Sequence, residues 1–209
     1  MNFLAHCLIA ERAADHLAYR ADDRDMLIAG GFIGDFLKGP VSDALPAPLI
    51  VGVRLHRRID AYSNQHEAIR RSCNRFPDAL RRLAPPLVDV IADHLLATAW
   101  PHHHHQSLTD FSAETYRCIH GCADYLPESG REFFAWMVEN YLLASYRHWE
   151  SAQRGMRSVT RRLRRGELND QLADRLPALV DELQQDFDDY FPDLQDHANS
   201  WLSAATQSS

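Results

Sequence analysis

No stretch of this 209-residue chain stays apolar over the roughly 18 residues that a bilayer-crossing helix requires, so a membrane-spanning protein is not expected. The opening residues, Met1 to Cys7, lack the basic region that precedes the apolar core of a secretory leader. Acids arrive as early as Glu11 and Asp15, so the sequence is expected to have no export signal. Cysteine is sparse: Cys7, Cys73, Cys118 and Cys122 form neither a CxxC pair nor a disulfide framework, which points to a reducing, cytoplasmic setting. Cys118 and Cys122 fall on one helix face and read as core rather than zinc ligands. An overall cationic surplus is also missing. With a net charge of -7 the chain is not expected to bind nucleic acid, although local basic patches remain open. Strand-like alternation is nearly absent, and neither an internal repeat nor a linker is visible.

What the chain does have is helical periodicity. Leu83, Leu87, Val90, Ile91 and Leu95 recur at helical spacing, as do Leu172, Leu176, Leu179, Val180, Leu183 and Phe187. Punctuation at Gly30-Gly31, Gly39-Pro40, Pro46, Pro48, Pro77, Pro85-Pro86, Pro101, Pro127, Gly166 and Pro192 divides this pattern. The resulting expectation is an all-α, single-domain helical bundle over 1–202, with helices near 2–19, 24–37, 47–63, 65–73, 86–100, 108–124, 129–144, 146–164 and 168–190. Residues 203–209 read as a frayed tail. At 45% hydrophobic and 24% charged, the composition can supply a core for one such domain. His102 to His105 follow a helix ended by Pro101 and read as a solvated loop rather than a metal site, because adjacent loop histidines point in different directions.

Three segments concentrate acids, histidines and cations. His56 and Asp60, four residues apart, lie on one helix face and can present one nitrogen and one oxygen to the same point. Asp89 and Asp93 share another face, with His94 turned about 100° from Asp93, all within an apolar run where unpaired polar groups would be costly. Asp35 and Lys38 sit near a helix end closed by Gly39. Each alone has an ordinary explanation: a hydrogen-bonded surface pair, a satisfied core pair, a lysine opposite a helix dipole. Together, mixed imidazole and carboxylate groups on facing helices suit a divalent ion that activates water. Arg57 and Arg58 could reach a phosphate held there, since guanidinium forks match phosphate oxygens.

The order and spacing of Met1-Asn2-Phe3-Leu4-Ala5-His6, Gly34-Asp35-Phe36 with Lys38-Gly39, His56-Arg57-Arg58-Ile59-Asp60, and Leu87 to Leu96 followed by Trp100 resemble the acyl carrier protein phosphodiesterase family. A weaker likeness continues through Asn140-Tyr141-Leu142, Met156 to Arg162 and Phe187 to Leu194. The resemblance implies a fold distantly like the HD phosphohydrolases, a divalent metal (usually manganese), and hydrolysis of the phosphodiester joining 4′-phosphopantetheine to a carrier-protein serine. It carries His6, Asp35, His56, Asp60, Asp93 and His94 as motif positions. The adjacent pair here is Asp93-His94, in reverse of the order that gives the HD proteins their name, so their ligand assignment does not transfer directly. On this reading the metal falls to a subset of Asp35, His56, Asp60 and Asp93. Arg57, Arg58 and Lys38 offset phosphate charge, and His94 or His6 protonates the leaving serine oxygen.

The implied partner, holo acyl carrier protein, is small and acidic, so an enzyme acting on it needs a basic surface. Between Arg147 and Arg165 seven arginines face the single acid Glu150, and Arg154, Arg157, Arg161, Arg162, Arg164 and Arg165 are the candidate docking residues. The alternative is that they pair with the acidic stretch from Glu167 to Asp196. Arg70, Arg71, Arg75, Arg81 and Arg82 form a second candidate patch. Two other functions remain open: an HD-like hydrolase of a nucleotide or other small phosphoester, and a non-catalytic module that only docks the carrier.

Overall fold

The computed structural model describes residues 2–207. Among these the regular structure is helical throughout, with no strand. In chain order the helices are α1 (Phe3–His16), α2 (Ala21–Ile33), α3 (Ala47–Ser63), α4 (Glu67–Arg75), α5 (Asp78–Arg81), α6 (Ala84–Thr98) and α7 (Trp100–His103). They continue with α8 (Leu108–Gly121), α9 (Glu128–Glu139), α10 (Leu142–Ser145), α11 (Trp149–Arg162), α12 (Asn169–Arg175) and α13 (Val180–Gln207). No helix among the described residues is long and apolar enough to cross a membrane.

The hub is α2, which packs on α3, α1 and α8; α13 lies across α1, α3 and α4, and α6 joins α1 to α4 and α11. Helix α1 is buried almost all round, from Leu4 to Glu11 and again at Ala13 and Ala14, as its nearly continuous apolar sequence requires. Gly30 and Gly52 set the closest approach. A Cβ built on Gly30 would lie 2.6 Å from the backbone of Gly52, and one on Gly52 would lie 2.5 Å from the carbonyl oxygen of Leu27. Backbone therefore meets backbone where α2 crosses α3, an approach that larger residues would block. Gly30 and Gly31 accordingly do not break α2 as their composition suggested; they lie inside it.

Proline accounts for several other departures. Pro85 and Pro86 open α6 from its first turn, where a missing N–H is harmless. The helix expected over 168–190 is divided by a 3-10 turn at Leu176–Ala178, which contains Pro177. Pro192, expected as a break, lies inside α13. Both it and Asp188, whose carbonyl it deprives of a partner, are exposed, so water can satisfy the lost bond. The segment expected as one helix over 129–144 ends at Glu139, and Tyr141 takes a left-handed conformation (φ 49°) before α10. Residues 203–207, expected to fray, continue α13; Ser203 and Thr206 return hydrogen bonds to Asn199 and Leu202. Ser208 and Ser209 lie outside the described residues.

All four cysteines are free thiols, and Cys118 and Cys122 are buried as expected. The histidine run is not a solvated loop: His102 and His103 belong to α7, and His103 packs edge-on against Phe187 and Phe191. His104 Nε2 lies 3.0 Å from the buried Glu11. Glu11 also binds Arg24 at 2.6 Å, and burial pushes its carboxyl up to about 7 despite that guanidinium.

Candidate metal centre

Helices α1 and α3 both pack on α2 and bring two imidazoles to one point. His6 projects from α1 and His56 from α3, and their rings stack with centroids 3.9 Å apart. The space between is kept by glycine: a Cβ on Gly31 would reach 3.0 Å from the carbonyl oxygen of His6, and one on Gly34 would lie 2.5 Å from Cγ of His56. Gly34 is therefore the position against which the His56 ring rests. Asp60, one turn beyond His56, places Oδ1 3.0 Å from His6 Nε2 and Oδ2 3.3 Å from His56 Nε2. These three residues present ligand atoms mutually within 4.8 Å. Asp35, on the turn leaving α2, stands at the margin with Oδ1 3.8 Å from His56 Nε2.

The donor chemistry fits a divalent cation. His56 Nδ1 donates to the carbonyl oxygen of Gly31 at 2.9 Å, which fixes the tautomer and leaves Nε2 directed at the carboxylates. A backbone carbonyl orienting a ligand histidine in this way is the usual support of a metal-bound imidazole. His6 is wholly buried and its Nδ1 has no hydrogen-bond partner among the described residues, so the ring is oriented by its Nε2 bond to Asp60 and its stacking on His56.

Electrostatics order the cluster. Burial and the neighbouring His56 press His6 down to about 3, outweighing Asp60, so His6 is neutral. Burial also opposes charge on His56, but the hydrogen bond to Asp60 and the charges of Asp35 and Asp60 prevail and raise it. Asp60 stays ionised: burial is overcome by hydrogen bonds from both histidines, which hold it well below the usual carboxylate range. Asp35 is raised by its burial. His56 Nε2 thus stands between the carboxylates of Asp35 and Asp60, in a position where a cation would meet both.

The cluster forms one wall of an open pocket of about 250 Å³ lined by Gly34, Asp35, Leu37, Lys38, Gly39, His56, Arg57 and Asp60. Gly39 (φ 75°) makes the turn that closes its rim. Arg57 holds that rim, donating to the carbonyl oxygens of Gly39 at 2.8 Å and Leu37 at 2.7 Å, so its first role is to shape the loop. Lys38 bonds the carbonyl of Asp35 at the pocket mouth. Arg58 does not line the pocket; it is exposed and acts electrostatically on His197 of α13.

Besides Arg58, two sequence-predicted residues lie elsewhere. Asp93 is fully buried and takes no part in the cluster: Oδ2 accepts from the backbone N–H of Leu4 at 2.9 Å and Oδ1 from that of Ala5 at 3.0 Å. It caps α1 from a distance and replaces Asn2, whose side chain donates to Tyr146 Oη instead. Burial raises Asp93 to about 7 against the pull of those two bonds. His94 is also turned away, with Nδ1 2.7 Å from the carbonyl oxygen of Tyr146 and its ring edge-on to Trp149. Conversely, His6, expected as an acid, stands among the potential ligands. The signal that would have found this site is the glycine spacing, since Gly30 of α2 and Gly34 at its C-terminal boundary fall four apart and Gly52 falls four before His56 on α3, marking the faces where α2 and α3 meet.

The arginines divide as well. Asp186, Asp189 and Glu182 of α13 are engaged by Arg71 and Arg75 of α4, which neutralises that part of the second basic patch. On and just after α11, Arg154, Arg157, Arg161, Arg162 and Arg164 are exposed and make no ion pair among the described residues; Arg165 pairs with Glu167. The acidic terminal helix is spent on α4 rather than on α11.

A family model described as acyl carrier protein phosphodiesterase matches residues 1–194. Curated acyl carrier protein phosphodiesterases from Escherichia coli strains CFT073 and HS are each 30% identical to this chain over 207 residues, covering 95% of it and 98% of the relative. No solved structure matches.

Proposed function

We propose that this chain, which belongs to the acyl carrier protein phosphodiesterase family, hydrolyses the phosphodiester between 4′-phosphopantetheine and the serine of an acyl carrier protein, leaving the apo carrier. The observation that carries this reading is the convergence of His6, His56 and Asp60 on the wall of a pocket whose mouth holds Lys38. A divalent cation, manganese in our proposal, would be held by these three residues with Asp35 beside them. Such an ion supplies Lewis acidity toward a phosphoryl oxygen and lowers the pKa of water.

The chain's own groups do the rest. Lys38 can leave the Asp35 carbonyl and meet a non-bridging phosphate oxygen, while Arg57 keeps the 37–39 loop in register for it. Asp35, which lines the pocket 3.8 Å from His56, would give a proton to the serine oxygen as it departs, the task that the resemblance gave to His6 or His94. The exposed arginines of α11 offer an acidic carrier a complementary surface. The four free thiols are consistent with a cytoplasmic location.

The test is mass loss from holo acyl carrier protein with added manganese, run beside a panel of nucleotides and small phosphoesters. Release of the arm by the wild type, abolished by His56→Ala and Asp60→Ala, supports the reading. Full activity in Asp60→Ala, or hydrolysis only of small phosphoesters, overturns it.

A further inference from the structure

Between Asp35 and Leu37, which line the pocket, stands Phe36, the first of a row of rings that runs to the surface. Phe36 follows Asp35 directly in the chain, and its ring lies 5.7 Å from that of Phe133 on α9, which lies 5.6 Å from that of Trp136. Phe3, one turn before His6, packs on Phe133 at 5.2 Å and ties the path to α1. The contact of α9 with the Asp35 turn depends on glycine: a Cβ on Gly130 would lie 3.1 Å from the Phe36 ring. Helix α9 is therefore fitted to that ring.

The outer end is unusually apolar for a surface. Trp136 is 48% exposed and Tyr141, in its left-handed conformation, is 70% exposed, with Val138 between them. Among the described residues the remaining exposed large hydrophobics are Tyr125 and Leu163 alone. Large aromatics left in water at the end of a row of rings that begins next to the pocket loop mark a surface that gains a partner.

We propose that Phe36, Phe133 and Trp136 are the surface on which the pantetheine arm of the carrier-linked substrate lies, with an acyl chain on its thiol extending across Trp136. This rests on the carrier-protein reading above. Once the phosphorus is in the pocket, the arm must leave along a neighbouring surface. An uncharged chain of amides and methylenes suits a row of rings far better than the charged rim of Lys38 and Arg57. These rings would decide which acyl chains are accepted without touching the reacting atoms.

The experiment compares the wild type with Trp136→Ala and Phe133→Leu, using holo carrier and carriers bearing octanoyl and dodecanoyl chains. Binding of free S-dodecanoyl and S-acetyl pantetheine is measured in parallel by calorimetry. Trp136 is half in water, so its removal should leave helicity unchanged, which circular dichroism checks. The wild type should bind the longer chain more tightly, and Trp136→Ala should lose about two- to tenfold of that advantage. In turnover the loss should appear in KM for the dodecanoyl carrier, with kcat and hydrolysis of a small phosphodiester retained. Chain-length dependence that is absent in the wild type, or unchanged in both variants, overturns the proposal. If the wild type does not release the arm yet Trp136→Ala still abolishes the chain-length effect on binding, the hydrolase reading falls and this surface stands.

Discussion

Asp93 accepts the backbone N–H of Leu4, 2.9 Å away across the core, and so caps a helix 89 positions distant in sequence. Its second oxygen takes the N–H of Ala5. Asp93→Ala would leave two buried donors without partners, at a cost of about 2–5 kcal/mol, whereas Asp93→Asn, which keeps one acceptor, should lose less. The urea midpoint measures this. Manganese affinity of the folded fraction should be unchanged; a stable Asp93→Ala that no longer binds manganese would return this residue to the ligand set.

Gly34→Ala tests the seat of His56. The new methyl would sit 2.5 Å from Cγ of the ring, so the imidazole must rotate away from Asp60 or break its bond to Gly31. Gly34 lies at the C-terminal boundary of α2, where alanine itself is well tolerated. Manganese affinity should fall about 10- to 100-fold, the range seen when the support of a ligand is disturbed. Affinity equal to wild type would mean that the ring does not need its present position.

Glu11 makes stability depend on pH. Its carboxyl ionises near 4.5 in the unfolded chain and at about 7 in the fold, so between those values the folded state holds a proton that the unfolded state has lost. Stability contributed by this group therefore declines as pH rises through that window and levels off above it. Glu11→Gln removes the decline, and urea titrations of the variant from pH 4.5 to 7 should be flatter than those of the wild type. His104→Ser should alter the same profile because His104 faces that carboxyl. Identical profiles in all three proteins would show that Glu11 is ionised throughout.

Reversing Arg157, Arg161 and Arg162 to glutamate should raise KM for holo carrier severalfold and weaken its salt dependence, with hydrolysis of a small phosphodiester retained. These side chains make no ion pair among the described residues, so the substitutions break no observed salt bridge. Equal losses on both substrates would remove the segment as a docking site.

Local chemistry was legible in the sequence wherever one helix carried it. The 3.6-residue spacing gave the all-α class, and the four-residue step from His56 to Asp60 put an imidazole and a carboxylate on one face, where the fold keeps them 3.3 Å apart. Contacts between distant segments were not legible. Asp93 and His94 sit in an apolar run whether they ligate, cap or merely pair, and only the placement of α1 shows that Asp93 faces Leu4 and Ala5. The fate of the arginines depended in the same way on where α13 lies: its acids reach α4 and leave α11 unpaired. Pro192 misled because a proline breaks a helix only when the carbonyl it orphans cannot find water, and burial is not visible locally.

The crossing of Gly30 over Gly52 brings the main chains of α2 and α3 together one turn before His56, and Gly31 brings α2 against the main chain of His6. Neither α1 nor α3 can settle closer to α2 at these points, so the separation of His6 and His56 is gauged through α2 by peptide planes rather than by side chains that could repack. Amides of Leu27 to Gly31 and of Gly52 to His56 should then exchange with solvent only when the whole molecule opens, and the cluster of His6, His56 and Asp60 should persist for as long as any of the fold does.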